Sequence, residues 1–202
     1  MAEYSPMMKH YLNLKEQYKD CIIFYRLGDF YEMFFDDALT ASRELEITLT
    51  ARDCGKADKA PMCGVPFHAA EGYIARLIEK GYKVAICEQL EDAKDAKGIV
   101  ARDVVRVVTP GTVIETNMLD EKKNNYIMSI FKKGMYFGIS FCDVTTGEFL
   151  ATKLTETNNF ALLLDEISKY NPAEIICNKM IFDCKEQMDE IRVRFNSYIT
   201  RV

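Results

Sequence analysis

Apolar positions recur at helical spacing over Met7, Met8, Tyr11, Leu12, Leu14 and Tyr18, directly behind Ser5-Pro6. This pattern predicts a first amphipathic helix with Ser5 as N-cap and Pro6 at the first helical position. Cys21-Ile22-Ile23-Phe24-Tyr25 is a short continuous apolar run, which predicts a buried strand. Gly28-Asp29 breaks the chain and is expected to start a second helix reaching about Leu45, followed by a β-branched strand over 46–50. Residues 53–61 then form a polar loop, and Pro61-Met62-Cys63-Gly64-Val65-Pro66-Phe67-His68 a compact turn. Helical periodicity returns over 70–80 and stops at Gly81, and 83–88 and 103–109 predict two more strands.

Beyond Pro110-Gly111 and the polar stretch 115–125 the texture changes. Residues 126–131, 135–143 and 148–154 alternate as strands joined by Lys132-Lys133-Gly134 and Thr145-Thr146-Gly147. A helix over 159–170, a strand over 174–177 and a helix over 184–195 complete the pattern. The expected organisation is therefore a mixed-sheet α/β domain over 1–112, a linker over 113–125 and a βββαβα domain over 126–202. No closing strand is visible after the last helix, an ending that predicts an incomplete second domain.

On a helical wheel begun at Gly28, residues Ala41, Phe34, Leu45, Ala38, Tyr31 and Phe35 fall on one stripe, with Glu32 and Asp36 opposite. Phe30 then stands at the first helical position, where its ring either projects from the helix tip or packs sideways onto the core. Asp29 and Glu32 have the spacing of a capping box, so Glu32 has a purely local use open to it. Asp29, Glu32, Asp36 and Asp37 spread around too much of such a helix to converge on a metal.

Composition narrows the classes. Hydrophobic residues make up 49% and charged residues 28% of the 202, enough for packed cores. The net charge is −5; residues 1–115 hold 15 basic against 19 acidic side chains, and 116–202 hold 11 against 12. Neither half is a basic slab that could hold nucleic acid by charge alone. Seven scattered cysteines without a CxxC pair predict free, mostly buried thiols in a reducing, cytoplasmic setting. No run approaches the roughly 20 apolar residues of a membrane span.

Three other chemistries can be weighed on the residues. Cys54, Cys63, His68 and Cys87 are zinc-ligand types in a spacing that fits no compact zinc module. His68 is better used in capping the next helix or holding the proline-rich turn, and His10 lies on a helix surface. Asp143 at a strand end, with Glu148 and Glu166 as partners, would suit a metal-dependent nuclease, but a hairpin turn explains it more simply. A pure protein-interaction module is the remaining alternative.

Phe24-Tyr25-Arg26-Leu27-Gly28-Asp29-Phe30-Tyr31-Glu32-Met33-Phe34 resembles the mismatch-sensing segment of the MutS family of DNA mismatch repair proteins. The likeness continues through Ser5-Pro6-Met7-Met8, the turn at 61–68, Val84-Ala85-Ile86-Cys87-Glu88-Gln89 and the VVRVVTPGT run from Val104. The second half resembles, more faintly, the start of the family's RNase H-like connector domain. The resemblance implies that Phe30 enters DNA from the minor groove and stacks on a mispaired or unpaired base, with Glu32 hydrogen-bonding to it. It also implies that Arg52 and Arg102 touch the phosphate backbone, with Met33 and Arg106 in support. Implied partners are double-stranded DNA with mismatches or small loops, and a MutL-type protein on the connector domain. The family's ATP- and magnesium-dependent ATPase needs a Walker A phosphate loop, which this sequence lacks, so no enzymatic activity and no cofactor are expected of this segment. The family protein is a dimer; this segment alone is expected to be monomeric.

Overall fold

The computed structural model describes residues 3–91, 100–114, 118–119, 123–155 and 159–202, with only the backbone of Asn159. Within the expected linker, residues 115–117 and 120–122 lie outside the described residues. The chain forms two compact units, Met1–Thr109 and Pro110–Val202.

In the first unit, α1 (Pro6–Gln17) starts at Ser5, whose Oγ accepts from Met8 N, with Pro6 at the first turn. Strands β1 (Cys21–Leu27), β2 (Phe30–Phe34), β3 (Thr50–Arg52), β4 (Ala60–Pro66), β5 (Lys83–Gln89) and β6 (Arg102–Val108) make one sheet in the order β3-β4-β2-β1-β5-β6. β1 and β5 are parallel and every other pair is antiparallel. Helix α1 packs Met8, Tyr11 and Leu14 onto one face, against Ile23, Tyr25, Phe34 and Cys87. On the other face lie α2 (Phe35–Leu45) and α3 (Ala70–Glu79); there Cys63 Sγ donates to the Ala38 carbonyl.

The structure corrects the sequence reading at four places here. The expected helix from Gly28 to Leu45 is a strand followed by a helix: Leu27 pairs with Phe30 across a two-residue Gly28-Asp29 hairpin loop. Gly28 has φ +58°, the sign a tight hairpin demands and a glycine supplies without strain. At the other end, Phe35 takes φ +53°, so helical geometry cannot run back through it into β2. The Tyr4 and Tyr11 rings pack on Phe35 and hold this junction. The third correction is that the expected turn at 61–68 is mostly β4, followed by a 3-10 turn at Phe67–Ala69. The fourth is at 46–50, where only Thr50 is strand, because Glu46 at φ +57° terminates α2 in left-handed geometry.

A buried carboxylate fixes this unit. Asp37 of α2 accepts from Tyr11 Oη and Lys15 Nζ of α1, each at 2.7 Å, and from Ile23 N of β1 at 3.1 Å. Three elements thus meet on one side chain, whose oxygens are satisfied as burial requires. His10 is not a plain surface residue, since its Nδ1 sits 3.0 Å from Tyr25 Oη.

In the second unit β7 (Tyr126–Lys133), β8 (Tyr136–Asp143) and β9 (Glu148–Leu154) form an antiparallel meander. Then come α4 (Asn159–Tyr170), β10 (Glu174–Cys177), α5 (Lys179–Phe182), α6 (Lys185–Arg194) and β11 (Tyr198–Arg201). The sheet order is β11-β10-β7-β8-β9, with β10 parallel to β7 and β11 parallel to β10. This is a mixed α/β sheet. Met128, Ile130, Ile139 and Phe141 pack against Leu163 and Ile167 of α4, Ile181 of α5 and Met188 and Ile191 of α6. The closing strand absent from the sequence reading exists: β11 is four residues, too short to raise a period-2 signal after a polar helix. Among the described residues, no helix is long and apolar enough to cross a membrane.

Candidate nucleic-acid interface

Alternation along β2 decides what its side chains can reach. Tyr31 and Met33 point to the α2–α3 face, while Phe30, Glu32 and Phe34 share the α1 face, since alternate residues of a strand lie on one side. Phe34 is covered by α1, but Phe30 is 46% exposed, between Leu27 and Pro66 on the neighbouring strands. An aromatic ring of that exposure sits at the strand's first residue, beside a hairpin loop. The carboxylate two positions on is therefore roughly 7 Å along the same face. No capping box forms: Glu32 lies within β2, and α2 begins at Phe35 without a side-chain cap.

Phe30 is buttressed from behind. Phe67 N donates to the Asp29 carbonyl at 2.9 Å, tying the 3-10 turn to the hairpin loop. Arg26 Nε donates to the Gly28 carbonyl, and its guanidinium stacks 3.7 Å over the Phe67 ring. On the buried face Tyr31 Oη donates to Glu88 Oε1, and burial, followed by that carboxylate, pushes the phenol up to about 12. Neither Phe67 nor Glu88 was singled out in the sequence; the bulky aromatic after Gly-Val-Pro was the available sign of the first.

Glu32 bonds to Arg52, with Nη1 2.5 Å from Oε2. The carboxylate is 15% exposed and the guanidinium 41%, so the pair belongs with surface ion pairs worth about 0–1 kcal/mol in the free protein. Arg102 lies on the same face at the opposite edge strand. Its Nε donates to the Arg26 carbonyl and its Nη1 to the Val100 carbonyl, both at 2.8 Å, beside the Tyr25 ring. Burial lifts the Tyr25 phenol to about 12 against the opposing pull of that guanidinium.

Two expected supporting residues fall elsewhere. Met33 is fully buried beneath the sheet, because strand geometry turns it away from Phe30. Arg106 pairs with Ile86 beyond a β-bulge, which sets it on the face opposite Phe30. The structure thus gathers Phe30, Glu32, Arg52 and Arg102 on one face and separates Met33 and Arg106 from them.

The alternative chemistries meet geometric obstacles. Cys63 bonds to α2 on one face, while Cys54 and Cys87 lie in the α1 core on the other, so the sheet divides the expected thiols. Burial pushes the Cys63 and Cys87 thiols up to about 12. His68 is exposed and caps nothing: α3 has no side-chain cap. Asp143 Oδ1 accepts from Thr145 N, Thr145 Oγ1 and Thr146 N, and Oδ2 from Asn125 N. Its carboxyl is held below the usual range, because these bonds outweigh burial, the largest single influence and an upward one. Those bonds close a hairpin turn. Glu148, directly opposite, is engaged by Tyr126 and Asn124.

Comparison with known families matches residues 5–117 to MutS domain I and residues 125–200 to MutS domain II. The DNA mismatch repair protein MutS of Ruminiclostridium cellulolyticum is 63% identical over 200 residues, covering 99% of this chain and 23% of that protein. The MutS proteins of Acetivibrio thermocellus (62% over 200 residues; 99% of this chain, 23% of that protein) and Clostridium tetani (55% over 198; 98% and 22%) are similar. The chain belongs to the MutS family. It spans about 23% of the length of the first two of these relatives.

Proposed function

We propose that this chain recognises mismatched or unpaired bases in double-stranded DNA, with Phe30 as an inserted wedge and Glu32 as a hydrogen-bond partner of the displaced base. The observation that carries this is an exposed aromatic ring on the same strand face as a carboxylate two residues away. An apolar wedge unstacks a base step at a cost of a few kcal/mol and kinks the duplex. A mispair has already lost part of its pairing and stacking, so it deforms more cheaply, and recognition follows from deformability rather than sequence. Arg52 and Arg102, on the two edge strands, flank the wedge and face phosphates; each guanidinium has five N–H donors, more than its protein partners use.

Residues 1–112 are the reading domain in this proposal, 113–125 the linker and 126–202 a connector that carries a surface for a MutL-type partner. ATP-dependent steps and dimerisation belong to regions its relatives have beyond this stretch, and the setting is the cytoplasm. A gel shift with mismatched and matched duplexes tests the wedge in the intact protein. Base–aromatic stacking is worth about 1–3 kcal/mol, so Phe30→Ala is expected to cut the mismatched-to-matched affinity ratio by roughly five- to a hundredfold. An unchanged ratio would overturn the proposal.

A further inference from the structure

Glu32 and Arg52 touch although a whole strand lies between them. Glu32 is on β2, Arg52 on β3, and β4 runs between the two. Their strands are two spacings apart, about 9.6 Å, and their registers differ as well, with Arg52 opposite Ala60 and Glu32 opposite Gly64, so both side chains must reach diagonally over β4 to meet. The residue opposite Glu32 on β4 is Gly64. A Cβ there would stand 3.2 Å from the Tyr31 carbonyl and 3.4 Å from Glu32 Cγ, so the glycine lets β2 approach β4 closely and the Glu32 stem lie against it. The contact then uses only half of the carboxylate. Oε2 takes Arg52, and no described residue donates to Oε1.

We infer that Arg52 is a positioning residue for Glu32: it holds one carboxylate oxygen and leaves the other to accept from a base. This rests on the DNA-reading proposal above and deepens it. A carboxylate carried unaccompanied into an interface with a polyanion is repelled by phosphates and loses its water without a replacement. Paired to a guanidinium, it arrives with its charge offset and its rotamer fixed. DNA closing over the face excludes water and strengthens the pair, because its Coulomb energy grows as the local dielectric falls. Arg52 therefore does most where Glu32 is sealed against an opened base pair and little where a duplex is bound loosely. Its remaining donors are free to meet a phosphate, a separate contribution that does not depend on Glu32.

A double-mutant cycle in the intact protein separates the two contributions, using duplexes with and without one mispair at fixed salt. With the mispaired duplex, Arg52→Ala is expected to cost about tenfold more affinity in the Glu32 protein than in the Glu32→Gln protein. With the matched duplex the cost should agree between the two backgrounds within about twofold. Equal costs in both backgrounds with the mispaired duplex would make Arg52 a phosphate contact only and overturn the inference, leaving the wedge proposal standing. Phe30→Ala measured alongside tells the cases apart: if it too leaves discrimination intact, the DNA-reading proposal itself has failed.

Discussion

Phe30 and Met33 are three residues apart, and opposite consequences are expected of losing them. Phe30 is 46% exposed, so Phe30→Ala should change folding stability by no more than about 0.5 kcal/mol in thermal or urea unfolding. Met33 is fully buried between the sheet and its helices, and Met33→Ala should cost about 2–5 kcal/mol through lost contacts and a cavity. Under the proposed function, that contrast separates a residue that meets DNA from one that holds the fold. Asp143 allows a test of sign. Its carboxyl is held below the unfolded value of about 3.9, so the charged form stabilises the fold above that pH. The contribution is lost as pH falls through the folded pKa. Acid unfolding followed below about pH 4 should therefore be shallower in Asp143→Asn than in the parent protein.

At the scale of the element, the decisive unit is the β1–β2 hairpin with β4 beside it. Gly64→Ala sets a methyl 3.2 Å from the Tyr31 carbonyl, so the β2–β4 pairing must give, and both the thermal midpoint and the affinity for a mispaired duplex are expected to fall. The hairpin also shows where sequence reading works and where it fails. Continuous runs such as Cys21–Leu27 and Lys83–Gln89, and the alternating meander of the second unit, are legible because burial pattern and strand coincide. The five residues of β2 fit a helical stripe and an alternating strand equally well. Gly28-Asp29 between two apolar runs was a hairpin signal that the wheel obscured. Motif resemblance picked out Phe30, Glu32, Arg52 and Arg102, which do share a face. Helical spacing could not supply the Glu32–Arg52 bridge, because Arg52 lies 20 residues further along the chain and reaches Glu32 only across β4.

For the whole chain, net charge governs how it should meet DNA. At −5, with Arg52 and Arg102 on the face of Phe30, the proposed reading gives the 202 residues alone about two phosphate contacts. The logarithm of affinity should then fall with the logarithm of salt at a slope near −2, measured by fluorescence anisotropy. A much steeper slope would mean that a basic surface elsewhere does the holding. The buried thiols of Cys63 and Cys87, raised to about 12, should react with thiol reagents only after unfolding. The most direct test of the central claim follows the ring itself. With 4-fluorophenylalanine at position 30 of the intact protein, fluorine NMR reads the ring's surroundings while anisotropy reports binding in the same sample. A new, upfield-shifted resonance with a mispaired duplex, and none with its matched counterpart, is the expected result. A resonance unmoved by a mispaired duplex that is demonstrably bound would contradict insertion.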